Sequence, residues 1–121
     1  MALILIVEDD PVMRELFSMM LSLEGHEVRE AENGEEALER IREGRPDLLI
    51  ADLVMPVMDG HRLLARLPEV CADPPPVLVL SAVRPGAEDA DLICAGADRL
   101  LQKPVDPAAL VSTVQDLLGG R

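Results

Sequence analysis

Residues 3–7, Leu-Ile-Leu-Ile-Val, form an unbroken aliphatic run that stops on three acids, Glu8, Asp9 and Asp10. A half-exposed strand alternates apolar and polar side chains. A run this short and this continuous instead marks a strand covered on both faces, as in a parallel sheet. The pattern recurs further on. Residues 47–51 (Asp-Leu-Leu-Ile-Ala) run into Asp52, and Val77 to Leu80 run into Ser81. A chain with several doubly covered strands has to lay helices over both sides of its sheet.

The segments between the runs have helical character. Asp10 is placed to cap a helix with Pro11 at its first position. Met13, Leu16, Phe17, Met20 and Leu21 fall on one face of that helix, which ends at Gly25. A short strand is expected at about residues 27–31. Asn33 and Gly34 then turn the chain into a second helix, with Ala37, Leu38 and Ile41 inward and Gly44 as its stop. The loop from Leu53 to Gly60 leads to a third helix carrying Leu63, Leu64 and Leu67, which Pro68 is expected to end or kink. Pro74 to Pro76 force an extended connection. A fourth helix is expected over Pro85 to Ala95, stopped by Gly96, with a fifth strand from Asp98 to Gln102 and a last helix from Pro107 to Leu118. Five strands alternating with five helices predict right-handed βαβ units and a parallel sheet. No repeat or linker interrupts this order, so residues 1–121 are expected to form one domain, with no output domain in the chain.

Composition narrows the function classes. The net charge of −12 opposes binding to nucleic acid, which requires a basic face, and to anionic lipid. Phe17 is the only aromatic residue, so stacking platforms for single-stranded bases are missing. No run approaches the roughly 20 apolar residues of a membrane span. The N-terminus lacks the basic region of a signal peptide. Cys71 and Cys94 lack metal-ligand spacing and read as reduced thiols, which points to the cytoplasm. Ten of the eleven basic residues are arginine, and the one lysine is Lys103. A lone lysine in so arginine-rich a chain hints at a position where a compact ammonium is needed.

In an open parallel sheet, ligands bind at the carboxyl ends of the strands. The first strand ends in Glu8-Asp9-Asp10, the third in Asp52, the fourth in Ser81 and the fifth in Gln102-Lys103. All of these polar residues are therefore expected at one edge. A close pair of carboxylates costs about 4 kcal/mol at ~4 Å and an effective dielectric near 20. Lys103 alone leaves such a cluster negative. A hard divalent cation with oxygen ligands, Mg²⁺ (or Mn²⁺), fits the remainder, whereas the absence of His and Cys donors argues against zinc and copper. The bland alternative makes the three acids no more than a favoured helix N-terminus. Beside a cation and a lysine, Asp52 can attack a phosphoryl group to give an acyl phosphate. Asp9 suits a metal ligand, Glu8 a ligand acting through water, and the Ser81 hydroxyl a contact to the transferred group.

Six motifs now stand in register. They are Leu5-Ile6-Val7-Glu8-Asp9-Asp10-Pro11, Pro46-Asp47 through Asp52, Met55-Pro56-Val57-Met58-Asp59-Gly60, Val79-Leu80-Ser81-Ala82, Ala95-Gly96-Ala97-Asp98 and Lys103-Pro104. Together they closely resemble the response-regulator receiver domain of two-component systems, over the whole chain. The resemblance implies a flavodoxin-like (βα)5 doubly wound sheet of strand order 2-1-3-4-5. It implies Mg²⁺-dependent phosphotransfer onto Asp52 from a sensor histidine kinase or histidine phosphotransferase. It further implies Val54 as a metal ligand through its backbone carbonyl, and a cis peptide between Lys103 and Pro104. The chain would catalyse only its own phosphorylation and dephosphorylation and not be an enzyme otherwise. In the family, phosphorylation draws Ser81 inward, and the face of the fourth helix, fifth strand and fifth helix then changes its affinity for a second copy or a downstream protein.

The chain departs from that pattern at the switch position, where Leu100 replaces an aromatic residue. The positions that tune dephosphorylation, Val54 and Val83, are both apolar. Leu92, Leu100, Val105 and Leu110 are candidates for an apolar docking patch or for core. Two other functions compete. One is a phosphorylation-independent interaction module, which Leu100 favours. The other is an aspartyl-phosphate phosphohydrolase, which wants an acid two residues after the nucleophile, where this chain has Val54.

Overall fold

A computed structural model of the chain describes residues 2–52, 60–81, 97–103 and 105–119. Five strands, β1 (Leu3–Val7), β2 (Glu27–Ala31), β3 (Leu48–Asp52), β4 (Val77–Ser81) and β5 (Arg99–Gln102), pair in parallel in the order β2-β1-β3-β4-β5. This is the expected doubly wound order. Four helices are described: α1 (Pro11–Leu23), α2 (Gly34–Glu43), α3 (Gly60–Val70) and α4 (Pro107–Gly119). The helix expected over residues 85–95 lies outside the described residues, as do Leu92 and Cys94.

Alternate residues of each central strand serve opposite layers. Leu5, Val7, Leu49, Ala51, Val77 and Val79 pack beneath α2 and α3, against Leu38, Ile41, Leu63, Leu64 and Leu67. Ile4, Ile6, Leu48, Ile50, Leu78 and Leu80 pack on the other side against Phe17 and Leu21 of α1 and Leu110 and Val114 of α4. Continuous apolar runs are what two layers require of one strand. β2 is the exception, with only Ala31 buried and its other residues charged or half-buried, as suits a sheet edge guarded against further pairing. Leu110 is core, and Leu100 and Val105 are partly buried against it.

The helix ends follow their capping chemistry. Asp10 Oδ1 accepts from the backbone N–H of Val12 at 2.9 Å, and Asn33 Oδ1 from that of Glu36 at 2.9 Å. α1 stops where Gly25 takes a left-handed φ of 91°. Its N–H and that of His26 return to the carbonyls of Ser22 and Leu21, which closes the helix. Gly44 stops α2 in extended backbone, so no glycine conformation is used there.

Two expectations need correcting. α3 runs past Pro68 to Val70 and Cys71 N–H still reaches the carbonyl of Leu67 at 3.0 Å. The proline removes its own bond to the Leu64 carbonyl, and the helix continues only two residues beyond it. Leu16 is not an inward residue of α1, being 44% exposed. It lies on a second apolar row with Val12, Met19 and Leu23, which are 71%, 56% and 80% exposed. Those positions are spaced by four, three and four residues and so line one face of the helix.

Candidate functional site

The register of the sheet brings the five strand ends level to within a residue. Val7 is opposite Ala31 and Ala51, Asp52 opposite Leu80, and Ser81 opposite Gln102. The residues after these positions therefore emerge at one edge, and the edge carries the charges. Carboxylate oxygens of Glu8, Asp9 and Asp52 all lie within 4.8 Å of one another. Asp10, the third acid of the run, is drawn away from them to cap α1.

Lys103 reaches this cluster from β5. Its Nζ donates to Asp52 Oδ2 at 2.6 Å and to Glu8 Oε1 at 3.2 Å. Glu8 is 1% exposed and Asp52 6%, whereas Asp9 is open to solvent. The site thus has a closed floor and an open mouth. Burial, and then the neighbouring Asp52 carboxylate, push the Glu8 carboxyl up to about 7 even though Lys103 pulls it down. For Lys103, burial works against the ammonium, but the hydrogen bond and charge of Asp52, followed by Glu8, outweigh it and raise its pKa.

Three carboxylates and one ammonium leave an excess of negative charge in a partly enclosed space. Glu8 Oε2 is buried with no hydrogen-bond partner among the described residues. A buried acceptor left so costs about 1–3 kcal/mol. The donor set is all carboxylate oxygen, with no imidazole or thiolate, so the residues fit a hard divalent cation of the Mg²⁺ kind.

Of the residues singled out in the sequence, Glu8, Asp9, Asp52 and Lys103 come together. Ser81 closes β4 at the same edge. Val54, Val83 and Pro104 lie outside the described residues, and with them the third-ligand carbonyl, the dephosphorylation positions and the cis peptide. Leu100 packs against the core beneath α3.

Arg14 had escaped sequence reasoning. One turn into α1, it sends Nη1 to the backbone carbonyl of Glu8 at 2.8 Å and Nε to Glu30 Oε1 at 3.1 Å. The outward row of α1 also went unread. Its sequence signal was an excess of apolar residues over what one helix face can bury.

Comparison with known proteins agrees with this fold. The response regulator receiver domain family matches residues 4–115. The response regulator MprA of Mycobacterium ulcerans is 39% identical over 115 residues, which are 95% of this chain and 49% of that protein. A 14.6 kDa protein of Leptolyngbya boryana is 38% identical, covering 93% of this chain and 86% of its own length. Among solved structures, the Vibrio cholerae chemotaxis protein CheY4 superposes with a TM-score of 0.89 at 32% identity, covering 98% of this chain and 99% of that one. The Thermotoga maritima response regulator TrrA, solved in complex with Mg²⁺ and BeF, superposes at 0.84 with 35% identity over 98% of this chain and all of that one. This chain belongs to the response-regulator receiver family, the input modules of two-component signalling. It spans about half the length of MprA.

Proposed function

We propose that the domain is a cytoplasmic phosphoacceptor switch in which Asp52 receives a phosphoryl group from a histidine kinase or histidine phosphotransferase, with Mg²⁺ required. The observation that carries this reading is the 2.6 Å contact of Lys103 with an Asp52 that shares its site with two more carboxylates. The Mg²⁺–BeF complex of TrrA supports the choice of cation.

An Asp52 oxygen forms the new bond to phosphorus while the bond from phosphorus to the donor imidazole nitrogen breaks. The electron pair stays on the imidazole, which takes up a proton, and the product is an acyl phosphate. Glu8 and Asp9 would hold the cation beside Asp52, and the cation would supply positive charge to the phosphoryl oxygens. Lys103 is already at the nucleophile and would follow the transferred group as a donor to one of its oxygens. In this reading the chain acts on itself alone and turns over no separate substrate.

A phosphodonor protein must cover the open mouth of the site. The exposed row Val12, Leu16, Met19 and Leu23 begins beside Asp10 and leads away from the mouth, so it is the proposed seat for an apolar helix face of that donor. The β5 end of the sheet, with the adjoining α4, is left for output, to a second copy or a downstream protein. The charge of −12 speaks against nucleic acid and anionic membrane as partners. Among the described residues no helix is long and apolar enough to cross a membrane.

Incubation with acetyl phosphate, followed by intact mass, tests the reading. One phosphoryl adduct is expected with Mg²⁺, none after chelation, and none in Asp52→Asn. No adduct in the wild type would favour a phosphorylation-independent interaction module, the reading for which the non-aromatic Leu100 speaks.

A further inference from the structure

We propose that Arg14 is a positioning residue for the acidic site, holding the Glu8–Asp9 peptide plane so that both carboxylates face the cation. This rests on the reading of Glu8, Asp9 and Asp52 as a Mg²⁺ site. The Glu8 carbonyl belongs to the peptide unit that joins these two acids. Its oxygen accepts from Arg14 Nη1 at 2.8 Å, and the Glu8 N–H donates to the Ala31 carbonyl at 3.1 Å. Both peptide units flanking the Glu8 Cα are thus pinned, one to β2 and one to α1. The guanidinium is itself held by Glu30 Oε1 at 3.1 Å, and the Arg14 side chain is only 16% exposed. A planar fork with two partners at fixed angles fixes an orientation that a single flexible donor cannot.

Charge and positioning predict opposite signs. As a cation near the site, Arg14 repels Mg²⁺, so its removal by charge alone would tighten binding. Loss of orientation weakens it, and removing the outer support of a ligand usually costs 10–100-fold in metal affinity.

Mg²⁺ is titrated into the unphosphorylated protein at pH 8 by amide NMR, with urea unfolding measured alongside. The variants are Arg14→Met, Arg14→Met/Glu30→Gln, Arg14→Lys and Arg45→Met. The double variant keeps the local charge of the wild type. Arg45→Met breaks a clamp from Arg45 to the carbonyls of Asp73 and Pro74, which adjoin the opposite edge of the sheet. The expected result is Mg²⁺ affinity about tenfold lower in Arg14→Met and in the double variant. Arg14→Lys, which keeps one donor and folds even if the Met variant does not, should fall between them and wild type. Arg45→Met should lose stability without losing affinity. Tighter binding in Arg14→Met with wild-type affinity in the double variant would reduce Arg14 to a charge and overturn the proposal. So would affinity that falls in step with stability in every variant, Arg45→Met included. A wild type that takes up no Mg²⁺ at the site would bring down the cation reading itself, and the role of Arg14 with it.

Discussion

The two edges of the sheet both collect acids, and they treat them in opposite ways. At the amino edge Asp47 Oδ2 accepts the Leu3 N–H at 2.8 Å, and Asp98 Oδ2 accepts the Val77 N–H at 2.8 Å. Each acid there meets a backbone donor that the start of a strand leaves over, and each ties one strand to the segment leading into another. At the carboxyl edge Glu8, Asp9 and Asp52 share Lys103, and a buried oxygen of Glu8 has no partner among the described residues. Acids at the first edge are joints of the fold. Those at the second are held together against their mutual repulsion, as the proposed binding of a cation and a phosphoryl group would require.

Removing the shared ammonium should have the largest effect. Lys103→Met is expected to slow phosphorylation by acetyl phosphate about 10²–10³-fold, the usual loss of one preorganised donor. The measurement is the initial rate of adduct formation by intact mass. A rate near wild type would mean that Lys103 only balances charge at rest.

On the proposed cation reading, the raised Glu8 carboxyl would make binding pH-dependent. Below about 7 Glu8 is protonated, and Mg²⁺ must displace that proton. Affinity should therefore climb with pH by up to about tenfold per unit and level off above 7. Calorimetric titration of Mg²⁺ across this pH range measures the slope, and Glu8→Gln should be flat. An equal slope in the variant would assign the proton elsewhere.

A smaller effect is expected on α1. Leu16→Ser/Met19→Ser should weaken transfer from a phosphorylated donor protein by roughly tenfold, about 1.4 kcal/mol, and leave the acetyl phosphate rate unchanged. Equal loss with both donors would point to a damaged site instead of a lost docking face.

The contrast between the edges was only half legible in the sequence. β1, β3 and β4 are unbroken aliphatic runs, and a strand that must satisfy two layers has no other way to be written. Because the runs end abruptly, Glu8, Asp9, Asp52 and Lys103 were legible as neighbours despite their separation along the chain. Asp47 and Asp98 were not legible as joints, since what they accept is the N–H of a residue far away in sequence. Arg14 was hidden for the same reason, because its partners are a carbonyl at the end of β1 and an acid on β2. Leu16 was misplaced because helical spacing identifies a face without saying which of two apolar faces meets the sheet. Pro68 was read as the end of α3, and the helix stops two residues beyond it. The switch end of the site, around Ser81, Val83 and Pro104, rests on the family pattern alone.

Urea unfolding at pH 8 without divalent cations tests the contrast most directly, in wild type, Glu8→Gln and Asp98→Asn. A carboxyl raised in the folded state stabilises below its unfolded value of 4.5 and gives that stability up as pH rises through about 7. At pH 8 the wild type should thus bear a cost on the order of 3 kcal/mol at Glu8. Glu8→Gln should be the more stable protein there, with the advantage reduced to about 1 kcal/mol or less at pH 5. Asp98→Asn should be less stable by about 1 kcal/mol at both pH values, having lost a charged acceptor from a backbone N–H. If both substitutions destabilise at pH 8, the carboxyl edge is as well balanced as the amino edge, and the account of it as a site held open for a cation is wrong.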